Sequence, residues 1–197
     1  MQRKQLAELV ADIAGKPLST IENGLIPKLQ SAGVIPWVKS RDGSEIDASY
    51  RVTVLLAAAI PSGYGVAPGE AVRFWRSLPM VAPFYRSDDG PKLSMEEKVR
   101  CAVQFLEGLG IKFDTTLGEV LDGIVESMQS GAFQKWVQVG DVSVSASFHD
   151  THYATLAIDR PQFGKGVILY FGPEKGETPA VQRVVQINRA AFERLAA

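Results

Sequence analysis

The chain has 197 residues, 46% hydrophobic and 22% charged, with a formal net charge of −1. This is the composition of an ordinary globular protein, long enough for one sizeable core or two small ones, and it holds no cationic excess that would draw the whole molecule to nucleic acid or to a membrane. The longest apolar run, Val52 to Pro61, is broken by Thr53 and falls far short of the roughly 20 residues that cross a bilayer. "MQRKQLAEL" lacks the apolar centre of a signal peptide, and a single cysteine, Cys101, cannot close an internal disulfide, so a reducing cytoplasm is the expected setting.

Leu6, Leu9, Val10 and Ile13 predict the buried face of a first helix. Ala11, Gly15 and Ile21 then stand four and six residues apart. That order suits a helix-turn-helix: a small residue where two helices cross, a glycine free to take positive φ in the turn, and an aliphatic anchor on the second helix. Pro17 fits a helix start, where its missing N–H costs nothing. "SAGVI" ends the second helix at Gly33. Inside that helix, "NGLIP" sets Gly24 and Pro27 three residues apart. An interior glycine costs about 1 kcal/mol and a proline about 3 kcal/mol, so a kink or break is expected near Asn23–Leu25, with Pro27 opening a new segment. "IPWVKSRDGSEID" reads as two short strands around Asp42–Gly43, a candidate wing with Lys39 and Arg41 near its tip. Asp47 is placed to cap a third helix running through Val54, Leu55 and Ala58.

The middle of the chain, entered through "PSGYGVAPGE", predicts two further helices separated from what precedes by "PMVAPFYRSDDGPKL". Ser94 and Glu97 form a capping-box pair ahead of Met95, Val99, Ala102, Val103 and Leu106, an apolar stripe at helical spacing. Leu117, Val120, Leu121, Ile124 and Met128 make a second stripe. Gly110 and Gly131 follow the two stripes and suit helix ends. Both stripes predict core.

The last third changes period. "VSVSASF" alternates, with Val142, Val144, Ala146 and Phe148 on one face and three serines on the other, the pattern of a half-buried strand. "KWVQV" precedes it across Gly140–Asp141, a short hairpin connection. "YATLAI", "VILYF" and "QRVVQI" complete a small antiparallel sheet or open barrel of about five strands. "NRAAFERLA" predicts a closing helix packed through Ala191, Phe192 and Leu195. The expected fold is therefore α+β in three parts: residues 1–60 a winged helix-turn-helix, 61–132 a helical linker or assembly region, and 133–197 a small antiparallel β-domain with a C-terminal helix.

Residues 5–60, through "LAELVADIAGKP", "STIENGLIPKLQSAGVI" and "IDASYRVTVLLAAAI", resemble phage-type winged helix-turn-helix regulators, the kind found in prophages and among activators of gene transfer agents. The resemblance extends loosely to "GEAVRFWRSL" and to the strand-rich end. The chain departs from the pattern at Lys16, where an aliphatic residue usually follows the turn glycine, and at "NGLIP". The resemblance implies a transcription regulator bound to double-stranded DNA, dimeric, with no cofactor and no membrane, its β-domain serving dimerisation or a protein partner. Recognition helices read bases with their N-terminal residues, which places Ser19, Thr20 and Asn23 at the groove, with Asn23 suited to adenine. Lys4, Lys16, Lys28, Lys39 and Arg41 complete the candidate DNA contacts. A DNA-packaging recognition subunit of the small terminase kind, which also joins such a module to a helical assembly region and a small β-domain, and an interaction module without nucleic acid are the alternatives.

Other constellations point away from chemistry. His149 and His152 flank Asp150 in "FHDTH", but without a third histidine or further cysteine nearby this reads as a solvated turn, not a zinc site. Cys101 lies on an apolar helix face and is expected to be a buried thiol. "GYG" and "GKG" lack the spacing of a phosphate loop, and "SDDG" is a solvated turn. No nucleophile, base and orienting group form a set, so no enzyme activity is expected.

Overall fold

The computed structural model describes residues 1–37, 46–60, 66–87, 93–108, 110–111, 115–133, 143–149, 153–160, 165–172 and 184–197. The first helix, α1 (Arg3–Ala14), ends at Gly15, whose φ of +62° is left-handed as the turn requires. The Gly15 and Lys16 N–H groups donate back to the Asp12 and Ala11 carbonyls. Ala11 and Ile21 are both buried, as the spacing predicts.

The second helix meets the expectation in part: it is irregular where "NGLIP" falls, and Pro27 stands in the first turn of a new helical segment. It does not break at Asn23–Leu25. It widens into a π turn over Thr20–Leu25 and continues directly as α2 (Ile26–Ser31). Leu25 and Ile26 both keep right-handed helical dihedrals, and the Ile26 N–H donates to the Ile21 carbonyl five residues back. The wide turn answers the problem set by Pro27. In a regular α-helix the proline ring would press on the Asn23 carbonyl and leave it without a donor; a five-residue turn opens that space, and Pro27 falls in the first turn of α2, where a missing N–H is harmless.

Helix α3 (Ala48–Ala59) is capped by Asp47, whose Oδ1 accepts from the Tyr50 N–H at 2.7 Å. It packs on α1 and on the π turn, making a three-helix module around Leu6, Val10, Ile21, Leu29, Val54 and Leu55. Of the candidate wing, residues 35–47, the stretch 38–45 with Lys39 and Arg41 lies outside the described residues, and its described ends, 35–37 and 46–47, are not strand.

Helix α4 (Pro68–Ser77) leads into β1 (Met80–Ser87). This strand falls within "PMVAPFYRSDDGPKL", which in the sequence reads only as an interruption between helices. Two prolines and a short apolar run mask it, and Pro83 is tolerated because β1 is an edge strand. Helices α5 (Met95–Gly108) and α6 (Leu117–Gln129) follow. The Ser94–Glu97 capping box forms, with the Ser94 N–H donating to Glu97 Oε2 at 2.8 Å. Only Ala102 and Leu106 of the predicted α5 stripe are buried; Val99 and Val103 are half-buried, and Met95 is 60% exposed. Cys101 is likewise half-buried, not the fully buried thiol expected. The α6 stripe is buried throughout. A second capping box joins Thr116 to Glu119. Hydrogen bonds from the Thr115 hydroxyl, then from the Thr116 backbone and hydroxyl, pull the pKa of the Glu119 carboxyl down to about 2. Gly110 and Gly131 end their helices at positive φ, as predicted.

Strands β2 (Ser143–His149), β3 (Tyr153–Arg160), β4 (Lys165–Phe171) and β5 (Val184–Asn188) form with β1 one antiparallel sheet in the order β1-β4-β3-β2-β5. "KWVQV", the Gly140–Asp141 hairpin and Val142 lie outside the described residues. Ala146, Phe148, Leu156, Ile158, Leu169 and Ile187 are buried on the inner face. The register lines up the opposite face in rows: Tyr170, Thr155, Ser147 and Gln186 in one, Ile168, Ala157 and Ser145 in the next. The C-terminal helix α7 (Arg189–Ala196) follows β5 directly, its first turn capped by Asn188.

The inner face and the helices share one buried cluster that runs through all three sequence regions. Trp75 of α4 meets Phe148 of β2 edge-on, centroids 5.4 Å apart. Arg76 of α4 makes a two-pronged pair with Asp122 of α6 at 2.9 and 2.6 Å. Arg51 of α3, buried at 1% exposure, reaches across to α7: its Nη1 donates to the Leu195 carbonyl at 2.7 Å and its Nε to the Ile46 carbonyl at 2.9 Å. On the surface, Arg194 of α7 pairs with Asp12 of α1 at 2.7 Å.

Candidate nucleic-acid interface

The three-helix module buries one side of the second helix and leaves the other in solvent. Ile21, Leu25, Ile26 and Leu29 fill the core. Lys16, Ser19, Thr20, Asn23 and Lys28 are all exposed. Four of these five border two adjoining hollows. Lys16, Thr20, Gly24 and Lys28 edge one of about 380 Å³, floored by apolar groups including Ile21, Leu25 and Ile60. Asn23, Gly24 and Lys28 edge the other, of about 510 Å³, whose far wall is Ala67, Pro68 and Gly69 at the start of α4. The N-terminal half of the second helix, from Ser19 to Asn23, carries the polar groups; its C-terminal half is flanked by α4, where Gly69 comes so close to Ala32 that a Cβ there would lie 2.9 Å from the alanine methyl.

Lys4 is exposed on α1, facing Glu8 at 4.0 Å, and lines neither hollow. Lys39 and Arg41 lie outside the described residues. Arg3, which carries no signal in the sequence, has its Nη2 on the Glu22 carbonyl at 3.3 Å and so ties the start of α1 to the π turn. The wall supplied by α4 is also unforeseen. It comes from residues some forty positions away, and no local pattern announces it.

Gly24 faces the open hollow. A Cβ added there would meet no neighbour closer than the Ser19 carbonyl at 4.0 Å. Gly24→Ala should therefore raise stability by about 0.5–1 kcal/mol, since glycine costs that much in a helix interior through backbone entropy. Urea denaturation checks it, and a loss of stability would mean that the wide turn needs the glycine's freedom.

His149 ends β2, and His152 lies outside the described residues. Among the described residues no group of three His, Cys, Asp or Glu side chains is gathered as a metal site would require. No helix among them is long and apolar enough to cross a membrane. Comparison of the chain with protein-family models, with curated proteins and with solved structures finds no match.

Proposed function

We propose that the chain is a sequence-specific, DNA-binding transcription regulator of phage type, acting in the cytoplasm as a dimer, with residues 1–60 as a winged helix-turn-helix. The observation that carries this reading is the solvent face of the second helix: Ser19, Thr20 and Asn23 exposed in its first turns, with exposed Lys16 and Lys28 at either end. Exposed hydrogen-bonding side chains at the start of a helix suit base edges in a major groove. The lysines suit the phosphates on either side, which fix register without reading sequence. In this reading Asn23 takes adenine through its side-chain amide, and Ser19 and Thr20 meet phosphate or base edges.

The test is selection of a preferred duplex from a random pool, followed by fluorescence anisotropy on the selected and a scrambled duplex. Asn23→Ala should weaken the selected site by about 1–3 kcal/mol and leave the scrambled one nearly unchanged. Equal weakening on both would remove the base-reading role from Asn23. Absence of any salt-dependent affinity for duplex DNA would sink the proposal as a whole.

A further inference from the structure

We propose that the trough beside the second helix is a binding site for a small amphiphilic anion, a carboxylate, sulfonate or phosphate ester carried on an apolar body. The trough is made of the two adjoining hollows of about 380 and 510 Å³, which share Gly24, Lys28 and Pro68. Each lies within the roughly 300–1,000 Å³ of small-molecule sites. The larger is walled mainly by Pro27, Ala32, Ala67 and Pro68, and the floor of the smaller is apolar too. Exposed Thr20, Asn23 and Ser31 add hydrogen-bonding groups at the edge. Apolar walls with a few polar groups to fix orientation are what a small-molecule site needs.

Charge selects the sign of the ligand. Among the described residues lining the two hollows, Lys16 and Lys28 are the charged ones, and both are exposed. Glu22 and Glu70 are close in sequence but line neither hollow. The undescribed stretch between Ile60 and Val66, "PSGYG", contains no acidic or basic side chain. Lys28 borders both hollows, so an anionic head paired with it leaves an attached apolar body free to lie against the walls. A bare ion, or a nucleic-acid phosphate, would satisfy the lysine and leave those walls without a partner; an amphiphile uses both. The larger hollow is also preformed. Its far wall is held against the end of α2, where a Cβ on Gly69 would lie 2.9 Å from the Ala32 methyl and 3.2 Å from Val34 Cγ2, and where Arg73 Nη2 donates to the Ala32 carbonyl. A ligand entering it has little structure left to order. Gly24 keeps the trough open, since a Cβ there meets nothing nearer than the Ser19 carbonyl at 4.0 Å and any longer side chain would enter the space. The site shares Lys28 with the DNA reading but does not depend on it.

Fluorescence titration of the full chain without DNA tests this. The probes are 1-anilinonaphthalene-8-sulfonate and N-phenyl-1-naphthylamine, which is the same body without the sulfonate. The wild type should bind the sulfonate at a single site with a dissociation constant of roughly 10–100 µM, and the neutral probe roughly tenfold more weakly. Lys28→Ala should weaken the sulfonate roughly tenfold and leave the neutral probe nearly unchanged, so that the preference disappears. Gly24→Leu should weaken both probes roughly tenfold or more by filling the space that their common body takes. Circular dichroism melts establish that each variant is folded, and the Lys28 arm stands without the Gly24 one because that side chain is exposed. A wild type that binds neither probe, or both equally, would overturn the proposal. So would a sulfonate preference that survives Lys28→Ala, or a folded Gly24→Leu variant that binds both probes as the wild type does.

Discussion

Arg51→Met is expected to lower the free energy of unfolding by about 2–6 kcal/mol, because two buried carbonyls lose a charged donor and each costs about 1–3 kcal/mol when left without one. Methionine keeps most of the volume, so the effect isolates hydrogen bonding from cavity formation. The two acceptors differ in what they secure. The Ile46 carbonyl lies just ahead of the α3 cap, whereas the Leu195 carbonyl belongs to the last turn of α7, 144 residues away. A helix C-terminus also favours a cation through its dipole, so the bond to Leu195 gains from charge as well as from geometry. Arg51→Lys keeps the charge but not the forked donors and should recover only part of the stability. Urea denaturation with an unchanged slope is the measurement, and amide exchange should show α7 losing protection before the sheet. A change under 1 kcal/mol would mean that water or neighbouring groups replace the guanidinium at both carbonyls.

Replacing Lys16 and Lys28 together by alanine should have the largest effect on DNA affinity. Every duplex phosphate that a lysine ceases to neutralise flattens the slope of log affinity against log salt by about 0.9, so removing both lysines predicts a change of about 1.8. Affinity should fall equally on selected and scrambled duplexes, because binding to phosphate carries no sequence information. Both side chains are exposed, so the fold should be untouched and the melting temperature should move little. Among the described residues few cations lie on this face, which makes each of them a large share of the attraction they supply. Titration by anisotropy across a salt series decides the matter: an unchanged slope would mean that the DNA, if bound, lies on another surface.

Much of the architecture is legible in the sequence because it depends on local chemistry. The turn glycine, the Asp47 and Ser94 caps, the α6 stripe and the period-two strands all follow from backbone geometry and from burial of one face. Their signals lie within a few residues of the elements they specify. β1 is not legible, since an edge strand with prolines has neither alternation nor a turn signature of its own; only its pairing with β4 makes it a strand. The α5 stripe overstates its burial for a related reason. Periodicity shows which face of a helix is apolar, not how much of the protein is there to cover it. For the candidate interface, Lys16, Ser19, Thr20, Asn23 and Lys28 are readable as a group because one short stretch of chain displays them. Arg51 carries no signal, since an arginine in a run of alanine, valine and leucine looks like a snorkelling surface residue until its long-range acceptor is seen.

The π turn at Thr20–Leu25 has a consequence for chain length. A regular α-helix turns about 100° per residue. A five-residue hydrogen-bonded turn spends roughly one residue more than an α-turn to make the same rotation. The segment thus behaves as a one-residue insertion whose angular displacement has been absorbed where it occurs. Were that residue unabsorbed, everything after it would be rotated by about 100°, carrying Leu29 out of the core and Lys28 toward it. Absorbing it locally keeps Ile26 and Leu29 inside and holds Lys28 on the same side as Thr20 and Asn23. By the same arithmetic, a relative lacking one residue between Thr20 and Leu25 would have an ordinary α-helix with the same two faces. Aligned copies of this helix can therefore differ in length by one while presenting equivalent side chains.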